Sequence, residues 1–189
     1  EVFPNAQIGN IVLMSSYIFQ GKLYNAVRCS IPVLAFITGI YLAQVIHRHF
    51  KYMKRIHWRQ LIIAAEISLL LTVGFIPNSL DILANSLVSF VCAMQVYTFR
   101  KIEGHPYAST MCIGNIRSAM ESLYTFFIQK KKVFLENRST IFAVTDFAAG
   151  AGLGGMLTKI YGIHSIWFSC LLLIISFCIM FIKEEVEKI

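Results

Sequence analysis

Glu66 stands out chemically because it is an acid inside the apolar run Leu61–Ile76. A charged carboxylate at the centre of a bilayer costs about 2.5 to 3.5 kcal/mol on insertion scales. Such a group therefore faces the protein interior, pairs with another group or holds a proton. Two roles stay open for it: Glu66 binds and releases a coupling proton, or it makes a hydrogen bond between helices.

The tetrapeptide Ile-Gly-Asn-Ile occurs twice, with Gly9 and Asn10 in the first copy and Gly114 and Asn115 in the second. Glycine lets the backbone turn and pack closely, and asparagine favours the start of a helix, which it caps. Two helix N-termini entering a bilayer from opposite faces would place positive dipole ends near its centre. That setting suits an anion, a carboxylate or a polar solute. The alternative is that each Gly-Asn pair only caps and packs its helix.

Gln95 and Asp146 are weaker candidates for the lining of such a site. Gln95 lies near the end of the apolar run Leu80–Phe99, and Asp146 lies a turn or two into the run Thr140–Leu157. Asp146 either faces the same cavity or caps its helix near the membrane surface. The predicted substrate-binding residues are Gly9, Asn10, Gly114, Asn115, Glu66, Asp146 and Gln95.

Three glycines predict close contacts between helices. Gly150 and Gly154 form a small-x-x-x-small face, which allows two membrane helices to approach each other. Gly39 holds the position equivalent to Gly150 in an earlier match, Phe36-Ile37-Thr38-Gly39 against Phe147-Ala148-Ala149-Gly150. Residues 150–155 also spell G-x-G-x-x-G. No strand precedes them, so the sequence gives no dinucleotide site here.

The composition predicts an integral membrane protein. Hydrophobic residues make up 57% of the chain and charged residues 14%, and the mean hydropathy is +0.65. A typical soluble domain carries about 25% charged residues. The net charge is +7, and the basic residues that produce it lie in a few connecting segments. There they orient the chain at the membrane surface, so they predict no nucleic-acid partner.

Catalytic chemistry is not predicted. The five cysteines are scattered through the chain, and no cluster of His, Cys, Asp and Glu has the spacing of metal ligands. No nucleophile has a nearby base. We therefore expect no metal, no cofactor and no enzymatic activity.

Five apolar runs are long enough to be considered as membrane spans, since a crossing takes about 20 residues. They are Ser30–Ile46, Leu61–Ile76, Leu80–Phe99, Thr140–Leu157 and Ile163–Ile182. Residues 5–19 are too short to cross. The run Tyr107–Ile128 carries Arg117 and Glu121, which are one helical turn apart and are expected to pair.

The distribution of basic residues decides how Tyr107–Ile128 enters the membrane. If it crosses, the two sides carry 8 Lys and Arg each; if it enters and leaves on one side, they carry 14 and 3. Basic residues gather on the cytoplasmic side of bacterial membranes. This predicts a re-entrant segment and a cytoplasmic C-terminus.

The repeated motifs predict an internal duplication within one membrane domain, residues 1–189. Repeat 1 is residues 1–77 and repeat 2 is residues 78–189, each with three spans and one re-entrant or short helix. Equivalent points of the two repeats are separated by three membrane spans. Because three is an odd number, the two repeats have opposite orientations in the membrane. The first span of repeat 1 is missing from this chain, and we expect it before Glu1. The predicted fold class is all-α, a polytopic transmembrane helical bundle.

The chain resembles the YoaK family of small bacterial membrane proteins over nearly its whole length. The resemblance is carried by these segments: Ile8–Ile11, Phe36 with Gly39, Ala93-Met94-Gln95 with Arg100, and Ile113–Asn115. Ile8 and Ile113 stand where that family usually has threonine. The resemblance implies a bacterial inner-membrane location and six spans. It implies no substrate, because the family's function is unknown and a permease role is only suggested.

These observations predict a small secondary transporter or permease in the bacterial inner (plasma) membrane, crossing it several times. Its expected partners are the lipid bilayer and a small polar or anionic solute, and the Gly150 and Gly154 face also allows a homo-oligomer. The alternative is a non-transporting membrane scaffold or partner subunit that associates through that face.

Overall fold

The structure is a computed structural model that describes residues 7–51, 57–102, 105–106, 116–117, 120–121, 124 and 138–186. The chain divides into two compact units. The first comprises Glu1–Thr98 and Tyr161–Ile189, and the second comprises Phe99–Ile160. Each unit is described by itself.

The described residues are almost entirely helical, as expected for an all-α protein. The helices are α1 (Gln7–Phe19), α2 (Leu23–Phe50), α3 (Trp58–Val73), α4 (Asp81–Thr98), α5 (Arg138–Tyr161) and α6 (Ile166–Val186). Short 3-10 turns, Asn78–Leu80 and Gly162–Ser165, precede α4 and α6. A two-residue strand, β1 (Lys101–Ile102), pairs antiparallel with β2 (His105–Pro106).

The helices α1 and α2 form a hairpin. Gly21 makes the turn with a φ of 72°, a left-handed conformation that glycine adopts without steric cost. The Lys22 amide closes the turn by donating to the Tyr17 carbonyl at 2.9 Å. With 13 residues, α1 is about 20 Å long, well short of a bilayer core of about 30 Å.

The helices α2 and α4 run parallel to each other, and three contacts fix their register. At the start of both helices, Arg28 donates to Asp81 at 3.1 Å. At the centre, Gly39 faces the backbone of Phe90. Near the end, His47 Nδ1 lies 3.1 Å from the Tyr97 hydroxyl.

The helix α3 runs antiparallel to α4 and is held by two hydrophobic clusters. The first joins Trp58 and Ile62 to Ala43 and Met94. The second joins Leu70 to Val91 and to Cys170 of α6. Trp58 and Ile62, early in α3, contact Met94, whereas Leu70, late in α3, contacts Val91, which comes earlier in α4. The two helices therefore run in opposite directions.

Two stretches of the described residues are long and apolar enough to cross a membrane, judged by length and composition: Leu23–Phe50 and Thr145–Met180. They include most of α2, α5 and α6. The helix α2 extends beyond the predicted run Ser30–Ile46 at both ends, because backbone hydrogen bonds continue where the side chains become polar. The helical fold and apolar composition fit a membrane protein.

A glycine that the sequence did not single out lies at the end of α3. A Cβ on Gly74 would overlap the Trp167 indole, with Cδ1 and Cε2 at 2.8 Å. We expect Gly74→Ala to lower the free energy of unfolding by about 1 kcal/mol, at the lower end of overpacking costs, since the partly exposed indole can move. Thermal unfolding of the purified protein measures the loss.

The matched background for this test is Trp167→Leu, which removes the indole. The Gly74→Ala change should cost less there. An equal loss in both backgrounds would show that the indole is not the cause.

Candidate functional site

A layer of buried polar groups lies at the middle of the helices in the first unit. Ser89, at the centre of α4, is fully buried. Its hydroxyl accepts a hydrogen bond from Gln7 Nε2 at 3.0 Å. Gln7 begins α1, so this bond places the N-terminal end of α1 level with the middle of α4.

Asn10 extends this network and is also fully buried, with 0% of its surface exposed. Its Nδ2 donates to Gln7 Oε1 at 3.2 Å. The sequence placed Asn10 as a cap, but it lies inside α1, where its amide bonds to another side chain. Gly9 beside it is half-buried.

Glu66 occupies the middle of α3 and has 0% of its surface exposed. Neither carboxylate oxygen has a hydrogen-bond partner among the described residues. Ile62 and Leu70, one turn to either side on the same face, belong to the two hydrophobic clusters. Of the two roles that the sequence left open, the hydrogen bond between helices is not present in the described part of the chain.

Glu66 lies closest to the Cys92 position of α4, because its carboxylate interacts electrostatically with that thiol and its neighbours Ile62 and Leu70 pack with Met94 and Val91. Ser89 is about one helical turn before Cys92 on α4. We call Gln7, Asn10, Glu66 and Ser89 the mid-helix polar layer. Buried polar groups are normally hydrogen-bonded, and one that is not needs a specific explanation such as a bound water, an ion or a chemical role. Glu66 is such a group among the described residues, whereas Gln7, Asn10 and Ser89 are joined by hydrogen bonds.

The other predicted substrate-binding residues have different positions. Gln95 is half-buried on α4, about 9 Å beyond Ser89 along the helix. Asp146 is on α5 in the second unit and its side chain is exposed. Gly114 and Asn115 lie outside the described residues.

The predicted packing glycines also differ from one another. A Cβ on Gly39 would lie 2.5 Å from the Phe90 carbonyl oxygen and 2.8 Å from the Ala93 Cβ, so the absence of a side chain lets α2 and α4 approach. A Cβ on Gly150 or Gly154 would meet nothing within 4 Å among the described residues. Those two glycines thus remain a predicted contact face.

One cluster was not found from the sequence. At the far end of α2, the His47 ring stacks on Trp58 with centroids 4.1 Å apart, and Tyr97 meets both rings edge-on. The Arg59 guanidinium lies 5.5 Å from the Trp58 ring centre. Aromatic residues beside a basic loop are typical of a membrane–water interface. The position of these aromatic residues next to the basic loop could therefore have indicated the cluster from the sequence.

The expected pair of Arg117 and Glu121 is confirmed. Arg117 Nε donates to Glu121 Oε1 at 2.8 Å, and both side chains are exposed.

Across the described ranges, no group of three or more His, Cys, Asp and Glu residues could hold a metal ion.

A family comparison bears on the whole chain. The family described as a protein of unknown function, DUF1275, matches residues 1–179. The chain belongs to this family. YoaK-type proteins are DUF1275 proteins, so the resemblance seen in the sequence is confirmed. Neither the curated proteins nor the solved structures gave a match.

Proposed function

We propose that this DUF1275 protein is a small secondary transporter of a polar or anionic solute in the bacterial inner membrane. The observation that carries the proposal is the mid-helix polar layer. Polar side chains buried at the depth of a bilayer centre are costly and usually mark a substrate or ion pathway. Here Gln7 and Asn10 of α1 form a hydrogen-bonded network with Ser89 of α4, and Glu66 is buried at the centre of the neighbouring helix α3.

The helix α1 gives this layer its chemical character. It is about two thirds of the length of a span, and its N-terminal end lies beside Ser89. The first amides of a helix have no partner within it and carry a partial positive charge. Together with the Gln7 and Asn10 amides, this end favours a carboxylate, another anion or a polar solute.

The second Ile-Gly-Asn-Ile motif completes the proposed architecture. An inverted repeat would bring Gly114 and Asn115 into the bilayer from the opposite face, with the C-terminus in the cytoplasm and the chain crossing several times. Opposed half-helices around one central site are the arrangement found in inverted-repeat transporters. Solute would reach the site from each side in turn.

Substitution of Asn10 tests the proposal. Asn10→Leu keeps the branched shape and the number of non-hydrogen atoms of the side chain and removes both hydrogen-bonding atoms. We expect it to abolish solute-dependent thermal stabilisation and solute uptake into proteoliposomes. The probes are a panel of organic carboxylates, phosphate esters, amino acids and sugars, applied to the purified full chain.

Ser68→Ala is the matched control, because Ser68 is exposed and its hydroxyl bonds only to the Ala64 carbonyl of its own helix at 2.9 Å. It should bind and transport as the unsubstituted protein does. Unchanged uptake in Asn10→Leu, at normal expression, would contradict the proposal. A stable complex with another protein, with no solute bound, would instead favour the scaffold.

A further inference from the structure

Glu66 is the buried group of the mid-helix polar layer that the solute site does not explain. It forms no hydrogen bond or ion pair with any described residue, and its surface is fully covered. Without a hydrogen bond, the carboxyl group provides no polar contact that would hold helices together. The free-energy cost of burying the Glu66 carboxyl group is therefore not offset by a hydrogen bond between helices.

Within the described ranges, the charged and titratable groups on the helices packed against α3 provide no counter-charge for Glu66. From α4, the Cys92 thiol lies near enough to interact electrostatically with the carboxylate. From α6, Cys170 packs with Leu70 in the adjacent cluster. From α2, His47 stacks on Trp58, which lies about 12 Å before Glu66 along α3.

The chemistry of these neighbours restricts which ion Glu66 can hold. Metal cations such as Ca²⁺ or Mg²⁺ need several oxygen ligands, whereas the described titratable group that interacts with the carboxylate is the Cys92 thiol. No metal-binding group of His, Cys, Asp and Glu exists in the part of the chain that the structure describes. A proton needs only one carboxyl oxygen.

We propose that Glu66 is the proton-binding site of this protein. In the packed state the carboxyl group is protonated and neutral, which removes most of the cost of burying it between apolar clusters. When the α3 and α4 interface opens toward one side, the O–H bond breaks and the proton passes to water, leaving the carboxylate. The use of this proton to drive solute movement rests on the proposed function; the binding site itself does not.

The test uses dicyclohexylcarbodiimide, an apolar reagent that adds to protonated carboxyl groups. The full chain is reconstituted in phosphatidylethanolamine and phosphatidylglycerol vesicles, and adducts are located by peptide mass spectrometry. We expect an adduct on Glu66 that forms more slowly as the pH rises. Labelling should be lost in Glu66→Gln and unchanged in Glu121→Gln, whose acid is exposed and paired with Arg117.

Infrared spectroscopy gives a second, reagent-free measurement. The difference between the unsubstituted protein and Glu66→Gln should contain the carbonyl stretch of a protonated carboxyl group, and the band should shift in D₂O as the proton exchanges. Absence of the band, or a band that never shifts in D₂O, would overturn the proposal.

The outcomes separate the proton site from the transporter. A Glu66 adduct and an exchangeable carboxyl band, without binding of any solute, would support the proton site and contradict the proposed function. Solute uptake that is intact while both Glu66 signals are absent would contradict the proton site alone.

Discussion

Valine in place of Gly39 lowers the free energy of unfolding by about 3 kcal/mol, the upper end of the usual cost of overpacking. Its Cβ would lie 2.5 Å from the Phe90 carbonyl oxygen. Because that atom belongs to the backbone of α4, it cannot rotate away as a side chain can. The two helices must separate, which loosens the contact that positions Ser89 in the mid-helix polar layer.

Denaturation by SDS titration in mixed micelles measures this loss, and Gly39→Ala should give a smaller one. The matched control is Gly150→Ala, since a Cβ there meets nothing within 4 Å in the described ranges. Alanine inside a helix stabilises it by up to about 1 kcal/mol relative to glycine, so Gly150→Ala should preserve or raise stability. Equal losses at both positions would contradict the close approach of α2 and α4.

Leucine in place of Glu66 raises the free energy of unfolding by about 1 to 3 kcal/mol, the cost of leaving a buried polar group unpaired. The two side chains are similar in size, and leucine matches its neighbours Ile62 and Leu70. The same change should abolish proton exchange at this position and, if the protein is a transporter, coupled uptake. Stability and activity are therefore expected to change in opposite directions.

Denaturation and proteoliposome uptake are measured on the same preparation of Glu66→Leu. Glu121→Leu is the control, because Glu121 is an exposed acid paired with Arg117, and exposed ion pairs contribute little. It should alter neither quantity. A destabilised Glu66→Leu protein would show that the carboxyl group has a stabilising partner, and it would refute the account of Glu66 given above.

The family match extends over residues 1–179, so these predictions can be examined in other DUF1275 proteins. Three residues of this chain carry them: the buried Asn10 of α1, the buried acid Glu66 of α3 and Gly39 of α2, which faces α4. Each can be altered by one substitution. Each also has a control elsewhere in the chain: Ser68 for Asn10, Glu121 for Glu66 and Gly150 for Gly39.

Much of the fold could be read from the pattern of side chains. The apolar runs located α2, α3, α4, α5 and α6 to within a few residues, except that α2 is longer than its apolar part. The short length of α1 was visible because Gly21 and Lys22 interrupt the run. Glu66 was identified from the sequence because an acid among apolar residues is conspicuous.

Pairings between distant residues could not be read in this way. Nothing local to Ser89 indicates that Gln7 donates to it, because the bond depends on how far α1 descends beside α4. The same limit applies to Gly74, whose neighbour Trp167 comes from a distant helix. The second Gly-Asn pair stays a prediction, since Gly114 and Asn115 lie outside the described residues.

The sequence by itself determined that this chain is apolar and helical, where its helices fall, and that one acid lies inside them. Hydrophobicity and helix-forming tendency are properties of neighbouring residues, so they are legible along the chain. Only the tertiary structure decided that Glu66 has no hydrogen-bond partner among the described residues and that Gln7 of α1 donates to Ser89 of α4. Both depend on which side chains the packed helices bring to the same level.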